Sequence, residues 1–239
     1  MKINYNYIKI IGLFVLVGFL FVFSNQRNKA RKIGAPHIKF LGENKLFITD
    51  ATVSKLLKQN EPTITNLSKD IIDLNVVENA LNANAMIKKA EVFLSVNARL
   101  SVEILQKRPI ARVNTNAAYY IDDEGSFMPL SSNYSARVPL VTGYINKNNL
   151  NTVFQFAKAV DGDEFLKTHV IEIHQNKDET IDFKIRKNEF TVHLGSLKLL
   201  EKKINNFKAF YQKGLKDNIL DHYKTVNLKF DKQVICTKK

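Results

Sequence analysis

A chain of 239 residues, 45% hydrophobic and 25% charged, has enough apolar material for one large or two small packed domains, which excludes a disordered chain. Its 36 Lys and Arg against 23 Asp and Glu leave a formal net charge of +13, which favours polyanions and anionic lipid surfaces; the lysines are dispersed rather than interleaved with aromatics, which argues for solubility over nucleic-acid binding. A single cysteine, Cys236, excludes an intramolecular disulfide, a Cys-based metal cluster and a thiol pair, and is silent on compartment.

The N-terminal stretch forms the first expected element. From Ile10 to Phe23 the chain runs without a charge, and extending it back to Tyr5 adds only Lys9, near enough the end to snorkel. As a helix rising ~1.5 Å per residue, Tyr5 to Phe23 covers roughly 28 Å, about the hydrocarbon thickness of a bilayer. A cleaved signal peptide needs a small-residue site after its apolar core, whereas Ser-Asn-Gln-Arg-Asn-Lys follows Phe23, so an uncleaved anchor is expected. A run apolar on every face fits a buried core helix poorly. The expected division is a short tail over 1–7, a span over 8–24 and a juxtamembrane linker over 25–35. Lys2 and Lys9 precede the span while Arg27, Lys29, Arg31 and Lys32 follow it, which by the positive-inside rule alone places the C-terminal part in the cytoplasm. Against that, a short tail with no second span is the usual design for exporting a domain, and a basic juxtamembrane run also suits anionic headgroups.

Hydrophobic periodicity divides the rest into two blocks, 36–113 and 114–239. The first opens with a strand from His37 to Leu41, a Gly-containing turn, and a helix after Thr49 with Val53, Leu56 and Leu57 on one face. A loop punctuated by Pro62 and Asn66 leads to a second helix with the stripe Leu74, Val77 and Leu81. Ala90, Val92, Leu94 and Val96, then Leu100, Val102 and Ile104, alternate with polar residues and read as a hairpin turning at Asn97-Ala98. The block is strand, helix, helix, strand, strand, both helices covering one sheet face. Pro109 and the residues after it are expected to end it, since proline removes a donor from a continuing central strand.

In the second block, Asn114 to Ala117 reads as a hinge or a turn, and a hairpin turns at Asp123-Glu124-Gly125. A helix follows with Leu150, Val153, Phe154, Ala157 and Val160 as its stripe. Strands are expected over Val170–His174, Thr180–Ile185 and Phe190–Leu194, then a helix carrying Leu197, Leu200, Ile204, Phe207 and Tyr211. The chain closes with a long half-buried strand in which Val226, Leu228, Phe230 and Val234 alternate with Asn227, Lys229, Asp231 and Gln233, Lys232 lying between.

Strand-helix-helix-strand-strand directly after an anchor is similar to a POTRA domain. The run Met86-Ile87-Lys88-Lys89-Ala90-Glu91-Val92, then Leu100-Ser101-Val102-Glu103-Ile104, then Lys107-Arg108-Pro109-Ile110-Ala111, resembles the FtsQ/DivIB pattern, departing from it at Ile87 and at Lys107. Tyr119-Tyr120-Ile121-Asp122-Asp123-Glu124-Gly125 with Pro129-Leu130, and Val138-Pro139-Leu140-Val141-Thr142-Gly143, resemble that family's next two segments. The resemblance implies an α+β chain: a single N-terminal transmembrane helix, a POTRA-like domain, then a mostly antiparallel sheet domain with a C-terminal helix and strand. It also implies a non-catalytic divisome scaffold of the plasma (inner) membrane, N-terminus cytoplasmic and bulk periplasmic, at the division septum. The implied partners are FtsB/DivIC-like and FtsL-like single-pass proteins, with septal synthase components further candidates, in regulation of septal peptidoglycan synthesis.

The closing strand is the expected partner-binding site: Val226, Asn227, Leu228, Lys229, Phe230, Asp231, Lys232, Gln233 and Val234. A terminal strand is often an edge, whose unpaired backbone groups accept a partner's strand. By resemblance, Asn227-Leu228-Lys229-Phe230-Asp231 stands where the family contacts its FtsB/DivIC subunit; Lys229 lacks the fork of arginine and Phe230 lacks a hydroxyl. A strand that merely completes the sheet explains the same pattern. No catalytic, cofactor or metal site is expected, and no nucleic acid or small-molecule substrate. His37, His169, His174, His193 and His222 show no ligand spacing, and His169 and His174, five apart in one expected strand, fall on opposite faces. Asp122, Asp123 and Glu124 read as a turn, and Cys236 as a small core filler. Two rival classes stand beside the scaffold: a membrane-tethered polyanion binder, and a periplasmic wall-modifying enzyme, for which no acid or metal constellation is visible in the sequence.

Overall fold

The computed structural model describes residues 5–29, 31–42, 47–60, 72–115, 117–147, 149–231 and 233–239; the expected Pro62 and Asn66 loop, and Lys232, lie outside them. The chain forms two compact units, Met1–Gln106 and Lys107–Lys239.

The first unit begins with helix α1 (Tyr5–Lys29), which carries the apolar run and continues past it. One stretch of it, Lys9–Asn28, is long and apolar enough to cross a membrane, and none of that stretch is buried against protein. Strand β1 (His37–Leu41), helices α2 (Asp50–Asn60) and α3 (Leu74–Asn82), and strands β2 (Ile87–Leu94) and β3 (Leu100–Gln106) follow in the expected order. The sheet order is β1-β3-β2, with β1 parallel to β3 and β2 antiparallel to it. Asp73 caps α3, its carboxylate accepting from the backbone N–H of Asn75 and Val76 at 2.9 and 3.3 Å. Val53 and Leu57 of α2, and Val77 and Leu81 of α3, bury against Ala90, Val92, Leu100, Val102 and Ile104. Ile33 packs into the same core. Val96 departs from the expected alternation: β2 stops at Leu94, Ser95 N–H donates to Arg99 O at 3.0 Å, and Val96 stands on the turn, 74% exposed.

The second unit is built on one sheet of nine described strands: β4 (Pro109–Asn114), β5 (Ala118–Asp122), β6 (Phe127–Met128), β7 (Leu140–Gly143), β8 (Val170–Gln175), β9 (Ile181–Ile185), β10 (Thr191–Gly195), β11 (Tyr223–Asn227) and β12 (Ile235–Lys238). Helices α4 (Asn151–Asp161), α5 (Glu164–His169) and α6 (Leu200–Lys216) connect them. The spatial order is β12-β11-β10-β9-β8-β7-β4-β5-β6. Most pairings are antiparallel; β4–β7, β7–β8 and β10–β11 are parallel. Parallel neighbours need a crossover, which α4 and α5 supply between β7 and β8 and α6 supplies between β10 and β11. One inward row, Val113, Val141, Ile173, Phe183, Val192, Val226 and Cys236, runs from β4 to β12 through directly paired positions. Phe156 of α4, Leu166 of α5, and Phe207 and Tyr211 of α6 belong to the same buried core.

Several expectations change here. The expected boundary after residue 113 falls inside the second sheet, because β4 pairs with β5 and β7; the units divide between Gln106 and Lys107 instead. Asn114 pairs with Ala118, so β4 and β5 run antiparallel up to both ends of the segment read as a hinge or a turn. On α4, Phe156 is fully buried while Phe154 packs at the margin. The long closing strand is two strands, β11 and β12, paired antiparallel as a hairpin.

Candidate functional site

The C-terminal hairpin forms one end of the large sheet. Strand β11 is fixed from both sides: it runs parallel to β10 in the register Thr191↔Thr225, Val192↔Val226 and His193↔Asn227, and antiparallel to β12, with Val226↔Cys236 and Asn227↔Ile235. Val226 and Leu228 are fully buried, and Leu228 N–H donates to His193 O at 2.9 Å. These two expected partner-binding residues therefore hold the hairpin to the core and leave no surface for a partner. Asn227 Oδ1 accepts from Lys229 N–H at 2.9 Å, the turn that lifts the chain out of β11. Lys229 then lies over Gly195, where an added Cβ would come within 2.8 Å of its stem.

Below this loop sits a buried cation. Lys203 of α6 is only 4% exposed, and its Nζ donates to Leu194 O at 3.0 Å and Ser196 O at 2.8 Å, clamping the end of β10 to the helix. Burial lowers the pKa of this amine, with partial compensation from Asp231 and a further push down from Lys229. The connecting loop thus carries a charge that a buried group feels.

Strand β12 is paired only through β11, so its other side is the free edge of the sheet. The opposite edge, β6, is two residues long, and Lys107 Nζ donates to Phe127 O there at 3.3 Å. Beside β12, Phe230 is 47% exposed and Ile235 41% exposed, whereas Val234 and Cys236 pack partly against the core. Burial raises the pKa of the Cys236 thiol. Sequence patterning did not single out Ile235, Thr237 and Lys238. The only signal for them is the polar Asp231-Lys232-Gln233 run, which breaks a strand as readily as it lines a solvated face.

Elsewhere the acidic and basic groups act structurally. Asp122 Oδ1 accepts from Glu124 N–H at 3.0 Å and Ser126 N–H at 2.7 Å, and Lys107 reaches its other oxygen at 2.8 Å, so this carboxylate shapes the hairpin turn. Arg108 makes two parallel bonds to Asp161, 2.9 and 2.7 Å long, tying the start of β4 to the end of α4. His169 ends α5, contrary to the expected strand; its Nδ1 lies 2.8 Å from Phe165 O and its ring stacks on Phe165. On the outer sheet face, Thr142 Oγ1 lies 2.9 Å from His174 Nδ1, and Lys184 bonds Glu172 at 3.0 Å. His193 Nδ1 lies 3.0 Å from Asp182. Among the described residues no group of three or more His, Cys, Asp or Glu is placed to hold a metal ion.

Residues 108–237 match the family described as FtsQ/DivIB, C-terminal related, and residues 42–105 match the POTRA-like domain. No match arises with individual curated proteins. The first match covers over half the chain and includes Arg108, both helical crossovers and β11. An apolar N-terminal helix consistent with single-pass anchoring, a POTRA-like unit and this sheet domain place the chain in the FtsQ/DivIB family of cell-division proteins.

Proposed function

We propose that the chain is a non-catalytic divisome scaffold that captures an FtsB/DivIC-type subunit, with an FtsL-type protein, by strand addition to β12, and so helps regulate septal peptidoglycan synthesis. In this reading the N-terminus is cytoplasmic, α1 spans the inner membrane once, and both folded units stand in the periplasm at the septum. The observation that carries it is the free edge of β12, flanked by the exposed apolar side chains of Phe230 and Ile235. An incoming strand gains main-chain hydrogen bonds along the edge, each contributing about 1 kcal/mol net, and places alternate side chains against Phe230 and Ile235. Lys229, Asp231, Gln233 and Val234 then border the docked strand from the hairpin loop, while Val226, Asn227 and Leu228 support it from within.

The test is capture of a purified FtsB/DivIC-type partner by the full-length protein in detergent. The double variant Lys229→Glu with Phe230→Ala and a chain ending at Val234, which lacks β12, are compared with the parent. About tenfold weaker binding is expected for the double variant, equivalent to ~1.4 kcal/mol, and loss of binding for the shortened chain. Circular dichroism checks that both retain their fold. Undiminished capture by folded variants would move the interface to another surface.

A further inference from the structure

Where α1 leaves its apolar run, the first unit carries a groove of about 610 Å³. Its lining includes Leu20, Phe21 and Phe23, then Arg27 and Arg31, and Val96 at the tip of the β2–β3 hairpin. The tip is clasped to the chain beyond the helix: Arg31 Nη1 donates to Val96 O at 3.1 Å and to Asn97 Oδ1 at 3.3 Å. Both bonds use Nη1, and a guanidinium has five donors, so among the described residues Nη2 and Nε remain to grip an oxyanion. The hairpin cannot drift far from the bilayer, because only residues 30–32 separate the end of α1 from Ile33, which is buried in the core of the unit.

Charge narrows the occupant. No Asp or Glu precedes Glu43, and none lies between Glu91 and Glu103, so the segments that form this groove carry no acidic residue, and the charged residues in its lining are Arg27 and Arg31. The groove is apolar toward the membrane core and cationic toward the headgroups, as a two-part ligand of the same polarity requires. Asn28, also in its lining, has a buried Oδ1 with no hydrogen-bond donor among the described residues, an acceptor suited to a headgroup hydroxyl.

We infer that this groove seats an anionic phospholipid, with an acyl chain along Leu20, Phe21 and Phe23 and the phosphate against Arg27 and Arg31, and that the seated lipid ties the hairpin tip to the membrane surface. The inference rests on α1 being a membrane span. It assigns the juxtamembrane cations a specific task, holding the POTRA-like unit against the headgroup layer, which is separate from partner capture at β12.

The chain contains no tryptophan, so single-Trp variants report position directly. Full-length protein carrying Phe14→Trp, in the middle of the span, or Val96→Trp, at the exposed tip, is reconstituted in vesicles. These contain phosphatidylcholine with either brominated phosphatidylcholine or brominated phosphatidylglycerol at equal mole fraction. The Phe14→Trp signal should be quenched equally by both lipids. The Val96→Trp signal should be quenched about twofold more by the brominated phosphatidylglycerol, and adding Arg27→Gln should abolish that preference. Quenching of Phe14→Trp with none, or no lipid preference, at Val96→Trp overturns the lipid seat while leaving the span intact. An unquenched Phe14→Trp overturns the span and the seat together.

Discussion

Arg108 and Asp161 show how one residue pair can fix the start of a domain. The two-pronged bond joins the residue just before β4 to the end of α4, and Lys167 adds a third contact to Asp161 at 3.0 Å. The Arg108 hydrogen bonds hold the Asp161 carboxyl below its ordinary value of 3.8, outweighing the partial burial that pushes it up. A carboxylate whose folded pKa is depressed contributes stability that is present above the unfolded value and lost as pH falls through the folded one. Asp161→Asn should therefore cost about 1 kcal/mol at pH 7, a figure discounted because Arg108 is 39% exposed. The difference from the parent should shrink toward zero as the pH is lowered below roughly 4. Urea unfolding of both proteins across that range measures it; a cost that does not change with pH would mean that the carboxylate's charge contributes nothing.

At the scale of elements, the sheet depends on joints where backbone meets backbone. Gly143 ends β7 with φ +93, and a Cβ built there would lie 2.2 Å from Gln175 O. The neighbouring strand cannot yield, because Tyr144 N–H donates to that same oxygen at 2.9 Å. Gly143→Ala should destabilise the protein by more than about 2 kcal/mol, through left-handed backbone strain and displacement of β8 together. Gly34→Ala, with nothing within 4 Å of its added Cβ, serves as the neutral comparison. Thermal unfolding monitored by circular dichroism separates them, and equal midpoints would show that β7 and β8 adjust freely. The same logic distinguishes the two edges of the sheet: the two-residue β6 offers little ladder to pair with, while β12 offers four residues.

For the whole molecule, the proposed anchoring by α1 carries a prediction about which side of the membrane holds the two units. The cations after the span argue for the cytoplasm by the positive-inside rule, yet a lipid-gripping role for Arg27 and Arg31 gives them a reason to be there on the periplasmic side. With Cys236→Ser removing the native thiol, Val76→Cys on the exposed face of α3 is expected to react with a membrane-impermeant maleimide in intact spheroplasts. Labelling only after lysis would put both units in the cytoplasm and remove the scaffold from the septal compartment.

The amino-acid sequence by itself determined the apolar N-terminal helix, the order of the first unit's elements and most helix and strand positions of the second. These follow from local periodicity: a charge-free run from Ile10 to Phe23, the α3 stripe Leu74, Val77 and Leu81, and the alternation Leu100, Val102 and Ile104 are written in neighbouring residues. Tertiary structure alone decided the pairings. The parallel contacts of β7 with β4 and β8, and with them the place of β4 in the second sheet, join residues far apart in the chain, where no local pattern specifies a neighbour. The candidate edge was half legible for the same reason. Alternation from Val226 onward marked a strand near the C-terminus, but alternation is blind to a reversal of direction. Only the pairing of Val226 with Cys236 turned one expected strand into a hairpin, burying Val226 and leaving β12 at the edge.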